Sequence, residues 1–329
     1  MKILITGANG LLGSNLIRKL LRKGHEIRAF VYKGEEIKTL ENLKIEKSEG
    51  NILFYEDLIA ASKNIDVIYH LAANTSVWPS RHKSIVEVNV EGTKNILRLA
   101  KKIKVKRLIY VGTANTFSFG TKQQPGAERS TYQGGKYRLD YMDSKYEAHQ
   151  LVIRAVKEGV PAIIVNPTFM LGSYDSKPSS GQMIVAIHNN KVPGYPPGGR
   201  NYICIKDAAE GIANALTKGR IGESYIIGNE NLSYKEAFGK MAKVIGVNPP
   251  KFTFPKFLVL LVGIMGSIQS KITGKKPNVS LPLARISCDD HYYSSSKAVK
   301  ELNLPQTPIE VGIKESFEWL QTNKYLRHG

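Results

Sequence analysis

Two stretches pair a phenol with an amine at a spacing that one helix face can present: Tyr132-Gln-Gly-Gly-Lys136 and Tyr141-Met-Asp-Ser-Lys145. Residues four apart on a helix lie one above the other, so both side chains can reach the same ligand. A phenol with a pKa near ~10 is a poor base at neutral pH, and an ammonium beside it favours the phenolate. Such a tyrosine can give a proton to a carbonyl oxygen or take one from an alcohol. In the first stretch Gly134 and Gly135 would each cost a helix about 1 kcal/mol. The second stretch continues into Tyr146-Glu-Ala-His-Gln-Leu-Val-Ile-Arg154, a good helical sequence. Tyr141 and Lys145 are therefore the expected pair. Thr113, at the end of the apolar run Leu108-Ile-Tyr-Val-Gly112, offers a hydroxyl to the same substrate oxygen.

A second chemical feature opens the chain. In Thr6-Gly-Ala-Asn-Gly-Leu-Leu-Gly13 the three glycines allow a sharp turn, close approach of a pyrophosphate and tight packing of helix on sheet. Free N–H groups at the helix start then face the phosphates. Lying between a strand and a helix, and followed by more such units, the turn points to a dinucleotide. Gly7, Asn9, Gly10, Leu11, Leu12 and Gly13 are its expected contacts. An acid at the end of the second strand would bind the 2′-hydroxyl of NAD, whereas a cation there accepts the 2′-phosphate of NADP. Arg28-Ala-Phe-Val-Tyr-Lys-Gly34 holds no carboxylate before Glu35. Lys33 is read as the phosphate partner and Tyr32 as a ring for the adenine. NADP(H) is favoured, with NAD(H) as the alternative.

These residues meet only if the intervening chain crosses a sheet repeatedly. Residues 2–6 read as a short buried strand, and 11–22 as a helix by the spacing of Leu11, Leu12, Leu16, Ile17 and Leu20. Further strands read at 27–31, 66–70, 107–112 and 161–166, with helices around 84–102 and 141–158. The repeats imply an α/β fold, a Rossmann-type doubly wound parallel sheet with right-handed connections. After Pro167 the texture changes, and glycine and proline crowd residues 172–199. A loop that long beside the chemistry suggests a lid over substrate. A strand then reads at 201–205, a helix at 207–218 and an amphipathic helix at 309–322. Residues 1–167, joined by about 200–220, are expected to bind the dinucleotide. Residues 168–199 and 221–329 are expected to form a smaller, mostly helical substrate-binding domain.

Composition bounds the remaining options. The 329 residues are 42% hydrophobic, enough for a sizeable core and too apolar for general disorder. Cys204 and Cys288 supply neither a disulfide framework nor a thiolate zinc site, so no metal is expected and a reducing compartment is the default. The longest apolar run, Phe257 to Met265, is shorter than the roughly 20 residues of a membrane span. A soluble, cytoplasmic protein is expected. A net charge of +19 could draw it to nucleic acid or anionic lipid. The dense basic patch from Arg98 to Arg107 lacks interleaved aromatics, so a solvated surface is preferred and no nucleic acid is expected.

Taken together, the motifs resemble the extended short-chain dehydrogenase/reductase family over nearly the whole chain. The matching pieces are Thr6 to Gly13, Glu56-Asp-Leu58, His70-Leu-Ala-Ala73, Asn89-Val-Glu-Gly-Thr93, Thr113, Tyr141 with Lys145, and Asn166-Pro167. Its dihydroflavonol-reductase-like and 3β-hydroxysteroid-dehydrogenase-like branch is the nearest in look. That likeness rests on Ser76-Val-Trp-Pro79, Asn166-Pro-Thr-Phe-Met-Leu-Gly172, Lys177-Pro-Ser-Ser-Gly181 and Tyr292-Tyr-Ser-Ser-Ser-Lys297. The resemblance implies that Asp57 and Leu58 contact adenine and that Leu71, Ala72 and Ala73 line the ribose and phosphates. It implies that Lys145 holds the nicotinamide ribose and that Pro167 borders the ring, with Val111 also at the cofactor. One departure is Gly112, where members often carry serine. By resemblance alone, a homodimer forms through the Tyr141 helix.

The expected activity is reduction of a ketone, or oxidation of a secondary alcohol, on a hydrophobic or aromatic small molecule. Trp78, Asn115, Asn166 and Phe169 are the candidate substrate contacts. A nucleotide-sugar epimerase or dehydratase is the alternative. Ala114 and Asn115 stand where a dehydratase would place acids, which argues against that reaction. A non-enzymatic cofactor sensor is disfavoured because Tyr141 and Lys145 are both present. The apolar segment 257–272, with Lys271, Lys275 and Lys276, leaves contact with a membrane surface as a lesser reading.

Overall fold

Seven segments align as one parallel sheet in the computed structural model, which describes residues 1–326. Along the chain they are β1 (Lys2–Thr6), β2 (Glu26–Val31), β3 (Glu46–Glu49), β4 (Val67–His70), β5 (Arg107–Val111), β6 (Ala162–Pro167) and β7 (Ser224–Ile227). Their order is 3-2-1-4-5-6-7, the doubly wound arrangement expected from the repeated strand–helix units. Every pairing is parallel. β3 is polar throughout, Glu-Lys-Ser-Glu, which suits an edge that must not recruit another strand.

Side-chain alternation divides the core between the two faces. Ile3 and Ile5 of β1 point to one side, with Tyr69, Ile109 and Val165, where helices α1 (Leu11–Arg22) and α4 (Ile205–Lys218) cover them. Leu4 points to the other, with Ile68, Leu108 and Ile164, under α2 (Gly92–Lys102) and α3 (Asp140–Lys157). Acids in the first turn of α3 and cations in its last complement its dipole. The helix expected at 84–102 is three pieces: Lys83–Val86, a π-helical turn at Glu87–Glu91, and α2.

Beyond Pro167 a second core gathers Leu171, Ile184, Tyr202, Met241, Ile313 and Leu320. Its small sheet centres on Gly199–Cys204, antiparallel to Glu230–Ser233. On its other side Gly199–Cys204 lies parallel to Asp290–His291 along its first half and to Phe169–Leu171 along its second. The expected division at residue 221 therefore differs from the observed one, because β7 returns to the main sheet from within 221–329. Residues 172–199 are also more ordered than a lid loop. They contain the helix Gln182–His188 and a two-residue strand at Gly194–Tyr195, with Ile184, Ile187 and Tyr195 packed in the second core.

The largest difference from expectation lies at Lys256–Thr273, helix α5. Its 18 residues have a mean hydropathy of 1.3, which meets the length and composition of a membrane span, yet only 11% of them are buried. The apolar run read from the sequence stopped at Met265, but Gly266, Ser267 and Gln269 do not end the helix. It rests on α6 (Leu281–Ser287), the shorter helix that follows.

Candidate active site

The phosphate turn is shaped by backbone contact. Gly7 adopts φ +69°, and a Cβ there would lie 2.7 Å from the Ala72 nitrogen. A Cβ on Gly13 would lie 2.2 Å from the Gly7 carbonyl oxygen. The Leu71–Ala73 segment is thereby pressed onto the turn, and Ala72 N–H donates to Thr6 Oγ1 at 3.2 Å. The same hydroxyl bonds His70 Nδ1 at 2.8 Å, while His70 Nε2 lies 3.2 Å from Thr93 Oγ1. Burial pushes the His70 imidazole down to about 3, so it works here as a neutral hydrogen-bonding strut. Helix α1 has no side-chain cap and no acid in its first turn. Its N–H groups and dipole thus offer an anion site, which fits a dinucleotide pyrophosphate at this turn.

Around the turn, the expected contacts divide. Asn9 donates to Glu35 Oε2 at 2.9 Å and to the Glu36 carbonyl at 3.2 Å. An acid does therefore reach the turn from beyond β2, with Lys177 bridged to it at 2.7 Å. Those two partners hold the Glu35 carboxyl below its usual range against the opposing effect of burial. Tyr32 and Lys33 are exposed at the end of β2. Asp57 sits in the first turn of the short helix Tyr55–Ala61, where its Oδ2 accepts the Asn51 N–H at 2.8 Å. Leu58 is fully buried.

At the ends of β5 and β6 the acid–base candidates come together. Tyr141 lies in the first turn of α3, and Thr113 directly follows Gly112 at the end of β5. Burial raises the phenol, while a hydrogen bond with Thr113 and the charge of Arg200 pull it back. Lys145, one helical turn beyond Tyr141, donates to the Val111 carbonyl at 2.8 Å and lies 4.8 Å from the centre of the Tyr110 ring. Burial pushes its ammonium down to about 7. In this state the cation acting on the phenol is Arg200, while Lys145 is aimed at the strand. Asn89, on the π-helical turn, braces the helix by donating to Ser144 Oγ at 2.9 Å and to the Asn74 carbonyl at 3.0 Å. The competing phenol is otherwise engaged. Tyr132 donates to Asp143 Oδ1 at 2.6 Å and stacks on Tyr146 at 4.3 Å, while Lys136 pairs with Asp289 at 2.7 Å.

The expected substrate contacts fare unevenly. Trp78 is half-buried in the loop before α2, and its neighbour Val77 packs on the same apolar cluster as Tyr141. Asn115 follows the Thr113 turn and accepts from the Tyr293 hydroxyl at 3.4 Å. Phe169 packs edge-on to Tyr202 at 5.4 Å. Asn166 differs from expectation. It is completely buried, and its Oδ1 would lie 2.3 Å from a Cβ on Gly112, so it is sealed under the strand ends. A side chain at Gly112 would require that carboxamide to shift.

Several residues that the sequence reading passed over lie here. The Arg200 guanidinium donates to the Tyr234 hydroxyl at 2.6 Å and lies 5.2 Å from the Phe169 ring centre. Its signal was a lone arginine opening the apolar strand Arg200-Asn-Tyr-Ile-Cys204. Tyr137 donates to Asp289 at 2.6 Å and lies 3.1 Å from His291 Nε2, which burial keeps neutral, with Phe119 4.3 Å from the His291 ring. Among the described residues no group of His, Cys, Asp and Glu could hold a metal ion.

A glycine turn, a half-buried tyrosine one helical turn from a buried lysine, and a strand-end threonine now share one end of one sheet. The model of the NAD dependent epimerase/dehydratase family matches residues 3–228. This chain belongs to that family. As a family member of the extended short-chain dehydrogenase/reductase type, it is an enzyme of the oxidoreductase and epimerase/dehydratase superfamily. It is 32% identical to a Synechocystis sp. protein provisionally named a dihydroflavonol 4-reductase, across 98% of this chain and 95% of that one. It is 25% identical to sterol demethylase protein B of Methylococcus capsulatus, across 98% of each. Among solved structures, that of gox2253 superposes with a TM-score of 0.87 at 30% identity, covering 99% of both chains.

Proposed function

We propose that this family member is an NADP(H)-dependent oxidoreductase that interconverts a ketone and a secondary alcohol on an apolar small molecule. The observation that carries the reading is Tyr141 beside Thr113, under the charge of Arg200 and one turn from Lys145. When bound, the nicotinamide supplies or accepts the hydride. The glycine turn and the start of α1 would hold its pyrophosphate, and Lys145 its ribose. Thr113 fixes the substrate oxygen, and Tyr141 delivers a proton to it in reduction or removes one in oxidation. Val77 and Phe119, which pack on the same cluster as Tyr141, would offer apolar surface to the substrate, and Phe169 lies beside Arg200. Arg200 offers a cation to any acidic substituent. A relative whose name carries a sterol supports an apolar substrate.

Lys33, exposed at the end of β2, supports NADP. Glu35 is ion-paired with Lys177 and hydrogen-bonded by Asn9, and this engagement lessens its claim on a ribose hydroxyl. Titration with NADPH and NADH tests this. NADPH should bind at least about tenfold tighter, and Lys33→Glu should remove that preference. A preference for NADH that Lys33→Glu leaves unchanged overturns the cofactor reading. Steroid, flavonoid and aliphatic ketones, offered with NADPH, should include a substrate. Turnover of a nucleotide sugar, with NAD retained through purification, would mark an epimerase instead.

A further inference from the structure

Helix α5 takes no part in the chemistry above, and it is turned the wrong way round for a water-facing helix. Gly263, Gly266, Ser267 and Ser270 fall on one face by their spacing, and that face meets the protein. A Cβ on Gly263 would lie 2.5 Å from the Ala284 Cβ, and one on Gly266 would lie 2.2 Å from the Val279 carbonyl oxygen. Ser267 Oγ accepts the Leu281 N–H at 2.8 Å. The small, polar side is therefore seated on α6 and the segment before it. The opposite side carries Phe257, Leu261, Met265, Ile268 and Ile272, exposed by 66, 49, 61, 54 and 80%. A stripe of that kind about 24 Å long is far more apolar surface than a water-facing helix ordinarily shows.

The charge around it is one-sided. From Ala237 to Cys288 there is no Asp or Glu, while seven lysines and one arginine occur. Lys251 and Lys256 stand exposed before and at the start of α5, and Lys271, Lys275 and Lys276 stand exposed at its end. A second copy meeting this face would bring cations against cations, with Asp289 reaching only Lys256 of these lysines, at 4.0 Å. An anionic lipid surface matches both the apolar stripe and its basic ends. The chain also returns to the protein at both ends of the helix. Phe252–Thr253 pairs with Gly194–Tyr195 before it, and α6 packs against the Gly134–Tyr137 turn after it. That geometry lays the helix along a surface.

We propose that α5 docks this enzyme on an anionic bilayer, with its outer stripe at the acyl boundary and its flanking lysines among the headgroups. The proposal stands independently of the cofactor and of the reaction direction. It also places the bilayer behind the substrate side of the site. α6 sends Ile286 into the cluster of Tyr137, Leu139 and Met142, against which Tyr141 packs. An apolar substrate dissolved in the membrane would then lie close to the catalytic phenol.

Vesicle co-sedimentation tests it, with phosphatidylcholine alone and with phosphatidylcholine containing phosphatidylglycerol. The full chain should bind the anionic vesicles and release at high salt. Both Leu261→Glu/Met265→Glu and Lys271→Glu/Lys275→Glu/Lys276→Glu should weaken that binding at least about tenfold. All these positions are exposed, so melting temperature and NADPH affinity should stay at the wild-type values. Absence of vesicle binding, or binding that both variants retain, overturns the proposal. So does a dimer that Leu261→Glu/Met265→Glu dissociates without any vesicle binding, which would assign the face to a second copy. Resistance to alkaline carbonate extraction would replace surface docking with a span.

Discussion

The phosphate turn and helix α5 use the same residue for opposite ends. At the turn, Gly7 and Gly13 bring a loop, a strand end and a helix start so close that a single methyl group would strike backbone. The result is a cradle whose open side presents N–H groups to a ligand. In α5, Gly263 and Gly266 bring one helix equally close to its neighbour, and its open side presents aliphatic side chains. Close approach by glycine is thus a way of placing the opposite face. What that face carries decides what the region does: main-chain dipoles in one case, an uncovered apolar stripe in the other. Substitutions should therefore silence the enzyme in the first region and leave its chemistry intact in the second.

The largest effect is expected from Tyr141→Phe, which removes the proposed proton donor while keeping the ring. Turnover should fall about 10²–10⁴-fold with cofactor affinity unchanged. Tyr132→Phe, which loses only its bond to Asp143, should cost about 1 kcal/mol of stability and little rate. If Tyr132→Phe is the inactivating change, the site has been assigned to the wrong phenol. Next in size, Gly13→Ala forces a methyl group to within 2.2 Å of the Gly7 oxygen. It should destabilise the fold by about 1–3 kcal/mol and abolish measurable NADPH binding. Gly266→Ala meets an equally close carbonyl and should cost a similar amount in denaturant melts. Its NADPH affinity, however, should match the wild type. Equal loss of cofactor binding in both would collapse the contrast between the two regions.

A smaller effect should appear in the pH dependence of stability. Burial pushes Lys145 down to about 7 from an ordinary 10.5. Between those values the unfolded chain holds more protons than the folded one, so stability rises with pH across that window. The cost of burying the amine is fully present below about pH 7. In the ligand-free enzyme Lys145→Met should therefore be the more stable protein near neutrality, and the gap should close as the pH approaches 10. A gap that stays constant would mean that the amine is not desolvated in solution.

Much of the nucleotide half was readable because its signals are local. The strand at 2–6, the glycine turn and the helix that follows are contiguous, and β4, β5, β6 and α3 carry periodicity strong enough to be found to within a residue or so. The choice between Tyr132 and Tyr141 also rested on local cost, two glycines against a clean helix. What escaped was set by distant partners. β3 is four polar residues that become a strand only by pairing with β2. β7 joins the main sheet by crossing the boundary drawn between domains. Arg200 is near Tyr141 because of the register of a sheet built from four separated segments. Asn166 was read as a substrate contact by resemblance, but its side chain is completely buried, with its carboxamide over the bare Cα of Gly112. For α5 an apolar run was measured where a helix should have been. Small polar residues interrupted the run without interrupting the helix.

The smallest expected effect uses a third glycine, with the opposite sign. Gly239 lies inside the helix Tyr234–Ile245, which opens with a capping box between Ser233 and Glu236. A Cβ built there meets nothing within 4 Å. This glycine therefore enables no close approach and leaves only the entropic cost of glycine in a helix interior. Alanine should raise stability by about 0.5–1 kcal/mol, a shift of roughly 1–4 °C for a chain this long. Denaturant melts of Gly239→Ala beside Gly13→Ala would then show one chemical change moving stability in two directions. The direction is set by whether backbone occupies the space that the methyl group would take. A loss of stability at Gly239 would mean that this helix is seated as tightly as α5, and that the C-terminal half is less tolerant than its open surroundings imply.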